Sequence, residues 1–180
     1  MSTKFEKANF CSSYNIEWSM ENIVYDRRRA AAYAKRWAFA RNPAYYDFSL
    51  LGGDCTNFVS QCVYAGCGVM NHTPVTGWFY RNANDRTASW TGVEFFDNFF
   101  AANEGAGPFA EECRLSDLQI ADVIQLGRGA GDFYHTLFVC GFAFGVPLVA
   151  SHSFDAYGRP LTSYAFERLR ALHILGARRN

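Results

Sequence analysis

The sequence predicts an α+β domain, with helices gathered in its first half and an antiparallel sheet in its second. Apolar residues recur at helical spacing between residues 26 and 65 and again around 93–100, whereas four short β-branched or aromatic runs crowd into residues 122–175. Helices first and neighbouring strands afterwards is the order of an α+β fold, not of alternating βαβ units. With 180 residues, 49% hydrophobic and 19% charged, the chain suits one domain with a full core. Residues 1–180 therefore read as a single domain, with 1–24 as a less ordered N-terminal extension.

Each element has a local reason. Asp26 can cap a helix running to about Arg41, in which Ala30, Tyr33, Ala34, Trp37 and Ala38 share one face. Asn42-Pro43 stops it, because a residue before proline avoids the helical region. A second helix is expected from Cys55 to Ala65, burying Phe58, Val59, Cys62 and Val63, with Gly66 as its C-terminal cap. Residues 67–90 show no period and read as a long ordered loop. Thr91 and Glu94 have the spacing of a capping box for a third helix carrying Val93, Phe95, Phe96, Phe99 and Phe100. Strands are expected at 122–126, 134–142, 147–153 and 171–175.

Charge and cysteine usage exclude several classes. Lys+Arg and Asp+Glu balance at 17 each, so no basic stripe points to nucleic acid. The run Arg27-Arg28-Arg29 reads as a solvated helix face. No apolar run approaches the 18 or so residues of a membrane span, and the N-terminus lacks the apolar stretch of a signal peptide. Six cysteines, with no CxxC pair, look like buried thiols plus one special residue instead of a disulfide framework. A cytoplasmic location is the default expectation, with export or cell-wall association as the alternative.

The special residue is Cys55. In Gly52-Gly53-Asp54-Cys55-Thr56-Asn57, two glycines permit a turn that other residues resist, and a helix then opens at the cysteine. The positive end of a helix favours thiolate, the attacking species. That effect, about 0.3–1 kcal/mol, is less than the ~1.4 kcal/mol of one pKa unit, so a nearby imidazolium is expected to complete the activation. Cys62, on the inner face of the same helix, reads as a plain buried thiol.

Four histidines could supply the imidazole. His72 lies in a loop and His173 in a C-terminal strand, and both read as structural. His135 opens one expected strand and His152 closes the next. If Gly141 stood opposite Val146 across their hairpin, His135 and His152 would face each other directly, with Cβ atoms about 5 Å apart. A slip of one residue would separate them onto opposite faces.

The residues GGDCTNFVSQ, with Met70-Asn71, Gly77-Trp78, Ser89-Trp90, Asp122-Val-Ile-Gln125, His135-Thr-Leu and Ser151-His152-Ser-Phe-Asp155, resemble the bacterial putative amidase domain family from about Tyr25 to Ile174. That family is related to the NlpC/P60 cell-wall peptidases of the papain-like superfamily. The resemblance implies a papain-like fold and a cysteine amide or peptide hydrolase, acting on a peptide, a small amide or peptidoglycan peptides. It implies Cys55 as nucleophile, His135 as general base and acid, and His152 as the third, orienting residue, with Asp155 its rival. Tyr46 or Tyr45 matches the upstream tyrosine of the related peptidases at shorter spacing. Asp54 precedes the nucleophile, and Trp78 and Trp90 are read as walls of a substrate cleft or as core. Ala121 stands where a glycine commonly precedes the aspartate. No metal or organic cofactor is expected. Alternatives are a zinc hydrolase ligated by Cys55, His135 and His152, an inactive binding module of the same fold, and an acyltransferase that forms the same thioester.

Overall fold

The computed structural model describes residues 20–180, apart from 130, and is an α+β arrangement whose strands pair antiparallel throughout. The greater part of the expected N-terminal extension lies outside the described residues. Its last part is ordered: Glu21–Ile23 forms β1, paired with the final strand.

Asp26 caps α1 (Arg27–Trp37) by accepting a hydrogen bond from the Arg29 N–H, and the helix ends four residues earlier than expected. Its Ala30, Ala34 and Ala38 are fully buried and let it lie close to α2 (Cys55–Cys67). The α2 helix passes the expected stop and is closed by Gly68 in the left-handed region. Gly66 serves another end, since a Cβ there would sit 2.3 Å from Cε2 of Tyr25. Arg27 is no solvated charge either: its guanidinium pairs with the buried Asp122 carboxylate at 2.7 Å and donates to the Ile174 carbonyl.

The expected loop is partly regular. It holds the hairpin β2 (Tyr80–Asn82) and β3 (Asp85–Arg86), then the single turn α3 (Ala88–Thr91). The expected capping box does not form, because Thr91 belongs to α3 and Gly92 precedes α4 (Val93–Ala102). Glu94 instead accepts from the Phe133 N–H and from Arg170. Phe96, Phe99 and Phe100 of α4 turn inward.

The remaining strands are β4 (Gly107–Glu112), β5 (Val123–Arg128), β6 (Asp132–Ala143), β7 (Val146–Ser151), β8 (Ala156–Pro160) and β9 (Arg168–Arg179). They form a sheet of order β1-β9-β5-β6-β7-β8, with β4 on the other side of β9. One face carries Val123, Phe138, Ala150, Leu172 and Ile174 against α1, α2, α4 and the tryptophans. The opposite face carries Ile124, Leu126, Leu137, Val139 and Val149 beneath Leu118 and Leu161.

The β6–β7 hairpin corrects the expected register. It turns on Phe144 and Gly145, both at positive φ, so Ala143 pairs with Val146. A bulge at Cys140 then places Phe138 opposite Ala150, one residue from the anticipated pairing. An odd slip reverses the faces, and His152 does not stand across from His135.

Candidate active site

The sequence around Cys55 builds a rigid corner. Gly52 and Gly53 have φ of 96° and 117°, and a Cβ on Gly53 would meet Ser153 Oγ at 3.2 Å. The turn is fastened to the β7–β8 connection by the Asp54 N–H, which donates to Ser153 Oγ at 2.7 Å. Ser153 holds φ +75°, a conformation that costs an ordinary residue about 1–2 kcal/mol. From this corner α2 opens at Cys55, as the sequence predicts.

Asp54 is neither exposed nor a cap. Its Oδ1 accepts from the Phe48 N–H at 2.9 Å and from Asn57 Nδ2 at 2.8 Å, while no bond runs from its side chain to the helix N–H groups. Its Oδ2 lies 2.6 Å from His152 Nδ1. His152 Nε2–H donates to the Trp37 carbonyl at 2.9 Å, and the ring stacks on Phe58 with centroids 4.1 Å apart. His152 thus ties the end of α1, the loop before α2 and the end of β7 together, and forms no bond to His135.

His135 lies near the start of β6, beside a bulge. Leu126 pairs with His135 but Gly127 pairs with Phe133, leaving Tyr134 without a partner. Bulges re-aim side chains, and here the Tyr134 and His135 rings lie nearly parallel with centroids 6.2 Å apart. Both line a cleft of about 450 Å³ with Gly52, Gly53, Cys55 and Tyr164. Thr56 Oγ1 lies 2.9 Å from Thr136 Oγ1, which clamps the start of α2 to the residue following His135. The expected nucleophile and base therefore share one cleft. They do not hydrogen-bond to each other: Cys55 Sγ contacts Thr56 Oγ1 at 3.8 Å, and His135 Nε2 is buried without a partner among the described residues.

The electrostatics run opposite to the sequence expectation. Burial pushes the Cys55 thiol above its ordinary value, and it outweighs the Thr136 backbone and Thr56 contacts that favour thiolate. Burial also lowers His135 from 6.5 to about 4, helped by the positive charge of Arg159. At neutral pH both groups are uncharged, so the pair rests as thiol and imidazole and not as an ion pair. The helix terminus is too weak to offset desolvation.

Other expected residues fall elsewhere. Trp78 and Trp90 do not wall the cleft. They are fully buried with centroids 4.6 Å apart, and their indole N–H groups donate to Ser60 and Asn57. Such pairing contributes about 0.5–1.5 kcal/mol beyond area burial. Tyr46 is half-exposed, packs its ring against Phe48 and is not among the cleft residues. Asp155 is gripped by Arg41 through two bonds of 3.0 and 2.9 Å. His173 Nδ1 lies 2.8 Å from the Asp122 carboxylate, a structural contact. Among the described residues no group of three His, Cys, Asp or Glu side chains could hold a metal ion, and no helix is long and apolar enough to cross a membrane. Sequence reasoning missed Thr56, Thr136, Ser153, Arg128 and Arg159. Thr56, Thr136 and Ser153 lie inside quoted motifs without being singled out, whereas the arginines carry no local signal.

A helix-borne cysteine beside a strand-borne histidine, in a cleft of an α+β domain, defines a candidate hydrolase site. Residues 24–175 match the family model described as "Putative amidase domain", so the chain belongs to that family, whose name points to amide hydrolysis. Among curated proteins it is similar to "Uncharacterized protein YhbB" of Bacillus subtilis (strain 168), 36% identical over 137 residues that cover 73% of this chain and 42% of that protein. The chain thus spans less than half of that relative's length. No solved structure matches.

Proposed function

We propose that the chain is a cysteine amide hydrolase of papain-like type, related to the NlpC/P60 peptidases, with Cys55 as nucleophile and His135 as general base and acid. The observation that carries this reading is the shared cleft: Cys55 at the first turn of α2 and the unpartnered His135 ring line the same cavity. Because both groups rest neutral, proton transfer accompanies attack. His135 takes the thiol proton as Sγ bonds to the amide carbon, and rotation of the imidazole closes the gap, as apo catalytic contacts often require. The Asp54 carboxylate bonds none of the helix N–H groups, which leaves the first N–H groups of α2 to hold the oxyanion. His135 then protonates the departing amine and activates water to release the thioester. His152 acts by position, fixing Asp54 and with it the turn that presents Cys55.

The substrate class is an amide: a peptidoglycan peptide, another peptide or a small amide. Incubation with peptidoglycan fragments and a peptide library, read by mass spectrometry, should reveal cleavage that Cys55→Ala abolishes with folding unchanged. Cleavage by the Cys55→Ala protein at the wild-type rate would end this reading. The missing Cys55–His135 bond gives one observation in favour of a binding module that has lost turnover, and the same incubation decides between them.

A further inference from the structure

The cleft has a charge that the chain as a whole lacks. Among the described residues its lining includes Arg128 and Arg159 and no aspartate or glutamate. Each guanidinium lies over a tyrosine that also lines the cleft: Arg128 lies 4.3 Å from the Tyr134 ring centre and Arg159 lies 4.2 Å from that of Tyr164. Arg159 is fixed further by donating to Ser163 Oγ and to the Ser163 carbonyl. Among the described residues neither arginine forms an ion pair, although Arg27, Arg41, Arg81, Arg114 and Arg170 all do. Near Arg128, Asp132 is its strand partner and Glu167 lines a neighbouring cavity, where Glu167 accepts from the Gly129 N–H and pairs with no guanidinium.

Two guanidiniums, each over a tyrosine ring and without an ion pair among the described residues, are available to a ligand anion. A planar guanidinium fork is pre-organised to bind a carboxylate with two parallel hydrogen bonds, and stacking on an aromatic ring favours that placement. We infer that the substrate carries a carboxylate, which Arg128 and Arg159 hold beside Cys55 and His135. The inference rests on the hydrolase reading and narrows its substrate class to anionic amides. It also gives the arginines a part in the chemistry. Arg159 disfavours the protonated His135, so a carboxylate seated on Arg159 would relieve that repulsion and strengthen the base when the correct substrate is bound.

The test compares two thiol reagents of similar size, anionic iodoacetate and neutral iodoacetamide, with Cys55 modification read by peptide mass spectrometry at about pH 8.5, near the ordinary thiol pKa. The expected result is an iodoacetate-to-iodoacetamide rate ratio at Cys55 about tenfold above that of the unfolded chain, falling to within about twofold in an R128Q/R159Q variant. Raising salt from about 20 mM to about 0.5 M should lower the wild-type ratio severalfold, a readout that needs no variant. An R128K/R159K variant, which keeps the charge, should retain most of the preference. A wild-type ratio equal to that of the unfolded chain, with Cys55 readily modified by both reagents, overturns the carboxylate inference and leaves the hydrolase reading standing. A Cys55 that neither reagent modifies, while other thiols react, overturns the nucleophile assignment and the inference with it.

Discussion

Replacing His135 with glutamine should flatten the acid side of the stability profile. The wild-type imidazole is buried, has no partner for Nε2 and lies near a positive charge, so the folded protein resists protonating it until about pH 4. In the unfolded chain the same ring takes its proton near 6.5. Between those values the unfolded state binds a proton that the folded state refuses, so stability is full above 6.5 and falls as the pH drops toward 4. Each pKa unit corresponds to about 1.4 kcal/mol, which makes the whole span about 3.4 kcal/mol and the loss at about pH 4.5 roughly 2.5 kcal/mol. Glutamine does not titrate. Urea unfolding followed by tryptophan fluorescence at neutral pH and at about pH 4.5, for both proteins, isolates the contribution, because His152, His173 and the carboxylates are common to both and cancel. Wild type should lose about 2.5 kcal/mol more than the variant. Equal losses, within about 0.5 kcal/mol, would show that His135 is hydrated and titrates normally, which refutes burial as the cause of a lowered basicity.

Other outcomes follow from the same geometry. Alkylation of Cys55 should keep accelerating above the pH at which free thiols level off, since burial raises its pKa; a midpoint below that of a free thiol, in a rate profile read by mass spectrometry, would restore the ion-pair picture. Asp54→Ala strands His152 and removes acceptors from the Phe48 N–H and Asn57, so chemical denaturation should show a loss of about 3–5 kcal/mol. Ala121→Gly should stabilise by about 0.5–1 kcal/mol, because Ala121 holds φ +75° and glycine takes that conformation without strain; a lower denaturation midpoint would contradict it.

The helical half was legible wherever one residue decides a local outcome. Asp26 announces α1, and the glycine pair announces the corner before α2, because capping and positive φ depend on a few adjacent atoms. The capping box at Thr91 failed for the same reason in reverse: the short turn α3 claims Thr91, and Glu94 finds partners in β6 and β9. Strands β4 and β8 and the small hairpin were missed, since their short sequences show little alternation and are held by pairing to distant strands. The pairing of His135 with His152 was beyond reach because one bulge at Cys140, with no sequence mark of its own, reverses every face beyond it. Ala121 was noted as a departure, and its positive φ supplies the reason a glycine would suit the position.

If the proposed mechanism holds, the bonding at the start of α2 means that the sulfur and the imidazole are brought together from one side only. Asp54 is tied to Ser153 and His152, Thr56 to Thr136, Asn57 to Trp90, and Ser60 to Trp78 and the Trp90 carbonyl. Apart from Ser153, which is half-buried, these groups are almost wholly buried, so moving the helix would break several satisfied bonds, each costing about 1–3 kcal/mol when its partner is left unpaired. His135 has no such bond at Nε2. Rotating its ring breaks no bond at that nitrogen, while shifting Cys55 would unmake the corner. In the proposed mechanism the imidazole is the moving part, and Tyr134 and Tyr164 beside it should govern how often it reaches the thiol.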